Sequence, residues 1–268
     1  MSKVFSFAFR LGLLAVVVGL TGAGCRRPKT GGGFALRVMS YNIHHGEGLD
    51  GRVDLERIGG VIQRERPDLV ALQEVDKGVD RTQRRDFPAE LTALTGMTCV
   101  FSNNYHYQGG EYGNAILSRL PVVGWTNRHY RMLRPGEQRG LIEVRAKTGR
   151  HLVRFFATHI DFRGDDSERV LNVDEIRAAV ESEPDVPAIV AGDINDLPGR
   201  PVHRLMKEFM ADAWEAGGEG EGFTFPAATP QRRIDYVFVT RGITVDRAWV
   251  PETEASDHRP VLAELRQR

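Results

Sequence analysis

The pattern of apolar runs and breaks predicts an α+β fold of packed layers. Strand-like stretches recur along nearly the whole chain. Helical patterns fall between some of them. Elsewhere strands follow one another directly, notably across 141–160 and 234–250, as hairpins do. That mixture favours α+β layers over a doubly wound parallel sheet. About 234 residues follow the first 34 of the 268, and one domain of that size is ordinary.

The chain opens with a targeting pattern. Lys3 and Arg10 flank the start of an apolar run, Leu11 to Leu20, followed by Thr21-Gly-Ala-Gly-Cys25. A basic start, a short apolar centre and small residues before a cut make residues 1–24 a signal peptide by pattern. The run is too short for a membrane span, which needs ~20 apolar residues. A cysteine directly after the small residues resembles a bacterial lipoprotein signal, in which Cys25 is lipidated and becomes the first mature residue. The plainer alternative is an ordinary secretory peptide. Residues 25–34 contain Arg26-Arg-Pro-Lys-Thr-Gly-Gly-Gly33 and read as a flexible tether. Residues 35–268 are then the folded domain. The expected product is an exported lipoprotein, anchored in a membrane and facing the periplasm or the cell surface.

Within the domain, strands are expected at Leu36–Ile43, Leu69–Val75, Asn114–Ser118, Leu141–Ala146, Val153–Ile160, Ala188–Ile194, Ile234–Thr240, Ile243–Val250 and Pro260–Leu265. Asp54 can cap a helix carrying Leu55, Ile58, Val61 and Ile62 on one side, stopped by Pro67. Ser167 can cap a second, with Val170, Leu171, Val173, Ile176 and Val180. Shorter helices are expected near Ala89–Leu94 and Val202–Met210. Loops are expected at 76–88, 103–112, 126–140 and 217–232.

Removing Lys3 and Arg10 with the signal leaves 34 basic against 36 acidic side chains, a net charge of −2. That argues against a dedicated nucleic-acid binder, whose footprint is basic. Arg81, Arg84 and Arg85 form a local cluster that can still meet a phosphate. With Cys25 lipidated, Cys99 stands alone in an apolar, strand-like context and reads as a buried thiol. There is no zinc-type Cys/His cluster.

Chemistry collects where strands stop. Ala188-Ile-Val-Ala-Gly-Asp-Ile-Asn195 is a buried strand whose end carries Asp193 and Asn195, two apart and so on one face. An acid beside an amide can bind a hard metal, orient a water or hold a phosphate oxygen; it can also be a polar strand end with an Asx turn. Asn42, His44 and His45 end the first strand. Glu74 sits inside an otherwise apolar strand, where a carboxylate is costly unless it is paired or bound to a metal. A metal ligand is the favoured reading and a salt bridge the alternative. His159 and Asp161 share a face at another strand end. Asp235 opens a strand, and Asp257 and His258 precede the last one. Oxygen ligands without thiolates select Mg²⁺, Mn²⁺ or Ca²⁺ over zinc. Two histidines beside carboxylates supply proton transfer and charge stabilisation.

YNIHHG, LQEVD, YGNAILS, THID, GDIND, RIDYVF and SDHRPV stand in this order. The ordered set resembles the endonuclease/exonuclease/phosphatase superfamily, which includes DNase I-like nucleases, neutral sphingomyelinases and inositol polyphosphate 5-phosphatases. The resemblance covers roughly residues 36–265. It implies a four-layer α/β/β/α sandwich of the DNase I-like kind, with the site at one end of the two sheets. Carried over, Asn42, Glu74 and Asp257 lie on the metal side, with Glu74 the main ligand. His159 lies near the scissile phosphate. Asp193 orients or deprotonates the attacking water, and Asn195 binds the phosphate beside it. Asp235 orients His258, which contacts a phosphoryl oxygen. One departure is His44, where some members carry an acid. Arg81, Tyr112 and Asn114 are further candidates for substrate contact.

The function this implies is a metal-dependent phosphodiesterase or phosphatase, with Mg²⁺ (or Mn²⁺ or Ca²⁺) as cofactor. The alternatives are a secreted endonuclease and a non-catalytic binding lipoprotein on the same fold. Nucleic acid, a phospholipid head group and a small phosphodiester all fit as substrate. The net charge inclines the choice toward a small or lipid phosphodiester over duplex DNA. A membrane is expected as partner through the lipid anchor, and no obligate protein partner is evident.

Overall fold

The computed structural model describes Met1 and residues 33–267. The signal peptide, Cys25 and the tether lie outside the described residues. In chain order the elements are β1 (Ala35–Asn42), α1 (Leu55–Glu65), β2 (Leu69–Lys77), α2 (Phe87–Thr95), β3 (Thr98–Tyr107), β4 (Gly110–Ser118), β5 (Val122–His129), β6 (Gly140–Thr148) and β7 (His151–His159). There follow α3 (Ser167–Glu181), β8 (Ala188–Asp193), α4 (Pro201–Lys207), β9 (Ala211–Asp212), α5 (Ala213–Gly217), β10 (Asp235–Val239), β11 (Ile243–Trp249) and β12 (Val261–Gln267). One sheet has the order β11-β12-β1-β2-β4-β3 and the other β5-β6-β7-β8-β10-β9.

The strand pairs β1–β2 and β7–β8 are parallel; the other pairings are antiparallel. Three apolar cores separate the layers. Leu36, Val38, Ala71 and Ile116 of the first sheet meet Val144, Phe155, Ile189 and Val237 of the second in a central core. Met39, Val70 and Leu117 point the other way, under Ile58 and Ile62 of α1 and Leu91 of α2. Phe156, Val190 and Phe238 likewise lie under Val173 and Ile176 of α3 and Met206 of α4. The four-layer α/β/β/α sandwich is therefore as expected. Each strand splits its side chains between two cores because strand side chains alternate.

That alternation also builds the mouth of the sandwich. In β8, Ile189 and Ala191 point into the central core, so Asp193 does too. The same alternation carries β1 from Val38 through Ser40 to Asn42, β7 from Ala157 to His159 and β10 from Val237 back to Asp235. Apolar side chains give way to polar ones at one shared end. Gly192 permits a close approach there: a Cβ on it would stand 2.1 Å from the Thr158 carbonyl oxygen of the neighbouring strand. At the opposite end, the Gln267 N–H donates to the Phe34 carbonyl at 2.9 Å.

Helix ends follow local chemistry. Asp54 caps α1, accepting from the N–H groups of Glu56 and Arg57 at 2.9 and 3.4 Å. Arg66, ahead of Pro67, closes that helix in the left-handed region. Ser167 is the first residue of α3 rather than its cap; Asp165 takes its N–H at 3.1 Å. Strands β3, β5 and β9 and the short helix α5 were not expected. These three strands end their sheets, β5 is mostly exposed and β3 mostly half-buried, so they carry no clear apolar pattern. Hence 103–112 is largely the β3–β4 hairpin, and 126–129 finishes β5. Among the described residues no helix is long and apolar enough to cross a membrane.

Gly192→Ala should lower stability by about 1–3 kcal/mol, because a methyl group must displace backbone in a packed sheet. Denaturant unfolding with an unchanged midpoint would show that the two strands can part at no cost.

Candidate active site

The Asp193 carboxylate is the hub. Its Oδ1 accepts the Asn195 N–H at 2.9 Å. Its Oδ2 accepts the Asn42 amide at 3.2 Å and lies 3.6 Å from His159 Nε2 and 3.8 Å from His258 Nε2. His258 Nδ1 in turn meets Asp235 Oδ2 at 2.8 Å. Asn42 also donates to Glu74 Oε1 at 3.0 Å. Eight of the expected positions are thus placed by five strands and two loops: Asn42, Glu74, His159, Asp193, Asn195, Asp235 and His258 are joined directly, and Asp257 adjoins His258.

Two local expectations need correction. β8 ends at Asp193, and Asn195 has φ +48°, so strand periodicity does not put these two side by side. An Asx turn does, through the Asn195 N–H. Asn195 Nδ2 is spent on the Ile160 carbonyl at 3.2 Å, tying the turn to the end of β7. Second, β7 ends at His159, and Asp161 turns to Arg163 at 2.7 Å instead of sharing the site.

Glu74 is half-buried rather than enclosed in a regular strand. It has φ +61° at a register shift between Leu72 and Val75. Such a bulge offsets the alternation by one. Val75 therefore joins the outer core, and the Glu74 carboxylate reaches Asn42. His44 and His45 follow β1 with φ of +45° and +42°. The His44 N–H caps Asn42 Oδ1 at 3.0 Å, and its Nδ1 lies 3.8 Å from Asp257 Oδ1.

Burial tunes the acids and bases. Burial, then the neighbouring Asp235 charge, pushes Asp193 up to about 7. Burial opposes charge on His258, but Asp235, Asp193 and Asp257 outweigh it and push the imidazole up to about 10. His159 moves the other way: burial, then Arg139 and His258, hold it well below the usual range, so it is neutral at pH 7. The two histidines are thus one cation and one neutral ring.

The donor set fits a hard divalent cation at the Glu74 corner. Among the described residues no Lys, Arg or His lies within ion-pair distance of Glu74, and the half-exposed Asp257 has His44 at 3.8 Å as its one such contact and the Ser256 hydroxyl at 3.4 Å. Asp193, Asp235 and His258 also bring ligand atoms within 4.8 Å of one another. That trio fits a metal less well, since His258 Nδ1 is committed to Asp235 and the ring is cationic.

The remaining candidates hold structure together. Arg81 forks onto the buried Asp76 through Nε and Nη2, both at 2.8 Å. Asn114 donates to the Gly140 carbonyl at 3.1 Å across the two sheets. Tyr112 is buried beside Glu137. Arg139 was not anticipated. It is nearly buried, lies 3.2 Å from Glu137 and precedes Gly140, the strand partner of His159. Phe225, also unanticipated, packs on the His258 ring at 4.7 Å. Both sit in irregular segments whose composition gives no signal.

A sandwich mouth with this arrangement is that of a phosphoester hydrolase. Residues 39–258 match the Endonuclease/Exonuclease/phosphatase family, and the chain belongs to that family. It is 27% identical over 248 residues to the uncharacterized protein YbhP of Escherichia coli strain K12, covering 87% of this chain and 96% of that one. It is 28% identical over 201 residues to a 5′-tyrosyl-DNA phosphodiesterase of Caenorhabditis elegans, covering 69% of this chain and about half, 49%, of that protein. The crystal structure of an endonuclease/exonuclease/phosphatase from Beutenbergia cavernae superposes with a TM-score of 0.72 at 28% identity, over 87% of this chain and 72% of that one.

Because Asp235 supports the charge on His258, Asp235→Asn should bring its ionisation down toward the ordinary 6.5. The raised value makes protonated His258 a stabilising feature that is complete below about 6.5 and gone above about 10. In the variant the alkaline fall in kcat/KM should therefore begin at lower pH, and stability at pH 8 should drop. An alkaline limb that stays in place would mean that another group sets it.

Proposed function

We propose that this chain is a divalent-metal-dependent phosphodiesterase that attacks phosphorus in line with water. The Asp193 hub carries the reading. An acid raised to about 7 can take a proton from water near neutral pH, and the Asn195 N–H and the Asn42 amide fix its aim. The His258 imidazolium, held by Asp235, offers positive charge and a proton to a phosphoryl oxygen. Neutral His159 offers a hydrogen bond from the other side. Glu74 is the residue to hold the cation, with Asp257 and Asn42 beside it; when bound, Mg²⁺ or Mn²⁺ supplies charge neutralisation at the phosphoryl oxygens. The similarity to a protein named as a 5′-tyrosyl-DNA phosphodiesterase supports phosphodiester chemistry. The complete set of acids and histidines favours catalysis over mere binding on the same fold. The location we propose is outside the cytoplasm, on a membrane, through lipidated Cys25.

Chelated protein should not turn over bis(p-nitrophenyl) phosphate, and added Mg²⁺ or Mn²⁺ should restore the rate. Full activity in excess chelator would refute the metal requirement.

In a host that processes lipoproteins, labelled palmitate should enter the wild type and not Cys25→Ser. Equal labelling of the two, or none in either, would remove the anchor from the proposal.

A further inference from the structure

The inner face of the first sheet continues past the central core as an aromatic ladder. Ile116 of β4 lies in that core, and Asn114 and Tyr112 follow on the same face by steps of two. Tyr112 pairs with Asp76 of β2 on one side and with Tyr105 of β3 on the other. Tyr107 lies two residues beyond Tyr105. The Arg81 guanidinium stands over the Tyr107 ring at 5.0 Å and the Tyr112 ring at 5.4 Å. The fully buried Asp76 pins it there through two hydrogen bonds. Tyr107 and Tyr105 are stacked, with centroids 6.2 Å apart and planes 28° apart.

The order along the ladder is Tyr112, Arg81, Tyr107, Tyr105. The first is buried and the last is 36% exposed. Arg81 is spent on Asp76, so it fixes rings rather than gripping a substrate anion. Fixed rings lose little freedom when a ligand arrives. Asp76 follows Glu74 by two residues. Adjacent strands are about 4.8 Å apart, so the exposed ring lies on the order of 10 Å across the sheet from the Glu74 corner. With the further two residues along the strand, the separation is on the order of the length of one nucleotide unit, so a base attached to a phosphorus held at that corner can span it.

We propose that Tyr105 and Tyr107 form a stacking shelf for a planar base, and that the substrate is a phosphodiester carrying a nucleobase. This rests on the phosphodiesterase reading and narrows it. A flat polarisable ring recognises any base by stacking, without hydrogen-bond readout. The net charge of −2 after the signal is removed suits a single nucleotide unit or a single-stranded end better than the many phosphates of a duplex. Tyr105 and Tyr107 act on specificity, and Arg81 and Asp76 are positioning residues.

The test compares two esters with the same leaving group, thymidine 5′-(p-nitrophenyl phosphate) and methyl p-nitrophenyl phosphate, with Mg²⁺ present. Wild type should prefer the thymidine ester. Tyr105→Ala should cut the ratio of the two kcat/KM values about tenfold, through KM, while Tyr105→Trp keeps it. A ratio unmoved by Tyr105→Ala overturns the shelf and leaves the phosphodiesterase standing. If wild type cleaves neither ester, the phosphodiesterase reading fails, and the shelf is judged by equilibrium binding of a thymidine tetranucleotide. Binding about tenfold weaker in Tyr105→Ala supports it; equal affinity in the two proteins, or no binding to wild type, overturns it.

Discussion

A carboxylate buried where two sheets end is expensive, and Asp193 shows how the cost is met. One oxygen has a backbone N–H, and the other has an amide and two imidazoles within 4 Å. The balancing charge comes from His258, which Asp235 behind it, together with Asp193 and Asp257, keeps cationic. Asp235 lies opposite Asp193 in the β8–β10 register. The same antiparallel pair that builds the sheet therefore sets the acid and its counter-charge beside each other. Remove that pairing and the site loses both its base and its cation.

The mouth needs no special loop to gather its groups. Strands that bury Val38, Ala157, Ala191 and Val237 in one core are bound, two or four residues along the same face, to point something at its open end. Glu74 is the exception. Its strand would have faced it outward, and a bulge with a left-handed residue turns it in. A non-glycine residue in that region is strained, and here the strain buys an unpaired acid next to Asn42.

Much of this was legible in the sequence because apolar runs and polar strand ends are both local signals. The nine expected strands are present, and the ordered motifs at their ends indicated the site residues. What sequence could not show was tertiary. β5 ends its sheet half-exposed, with the pattern of a loop. Asn195 meets Asp193 through a turn rather than along a strand. Asp161 looked equivalent to His159 by spacing, yet the strand stops between them. Arg139 and Phe225 come to the two histidines from segments far away in the chain, and no spacing rule connects them.

The pole away from the mouth carries a different consequence. β1 runs toward the mouth from Ala35, and the Gln267 N–H meets the Phe34 carbonyl at its far end. Eight residues of strand, about 26 Å, separate that contact from Asn42. Both ends of the folded sandwich therefore emerge together, on the side remote from the chemistry. A passenger domain or an immobilising surface joined at either end would leave the approach to Asp193 open. Bridging the two ends with a short linker and cutting the chain elsewhere is likewise a modest geometric change.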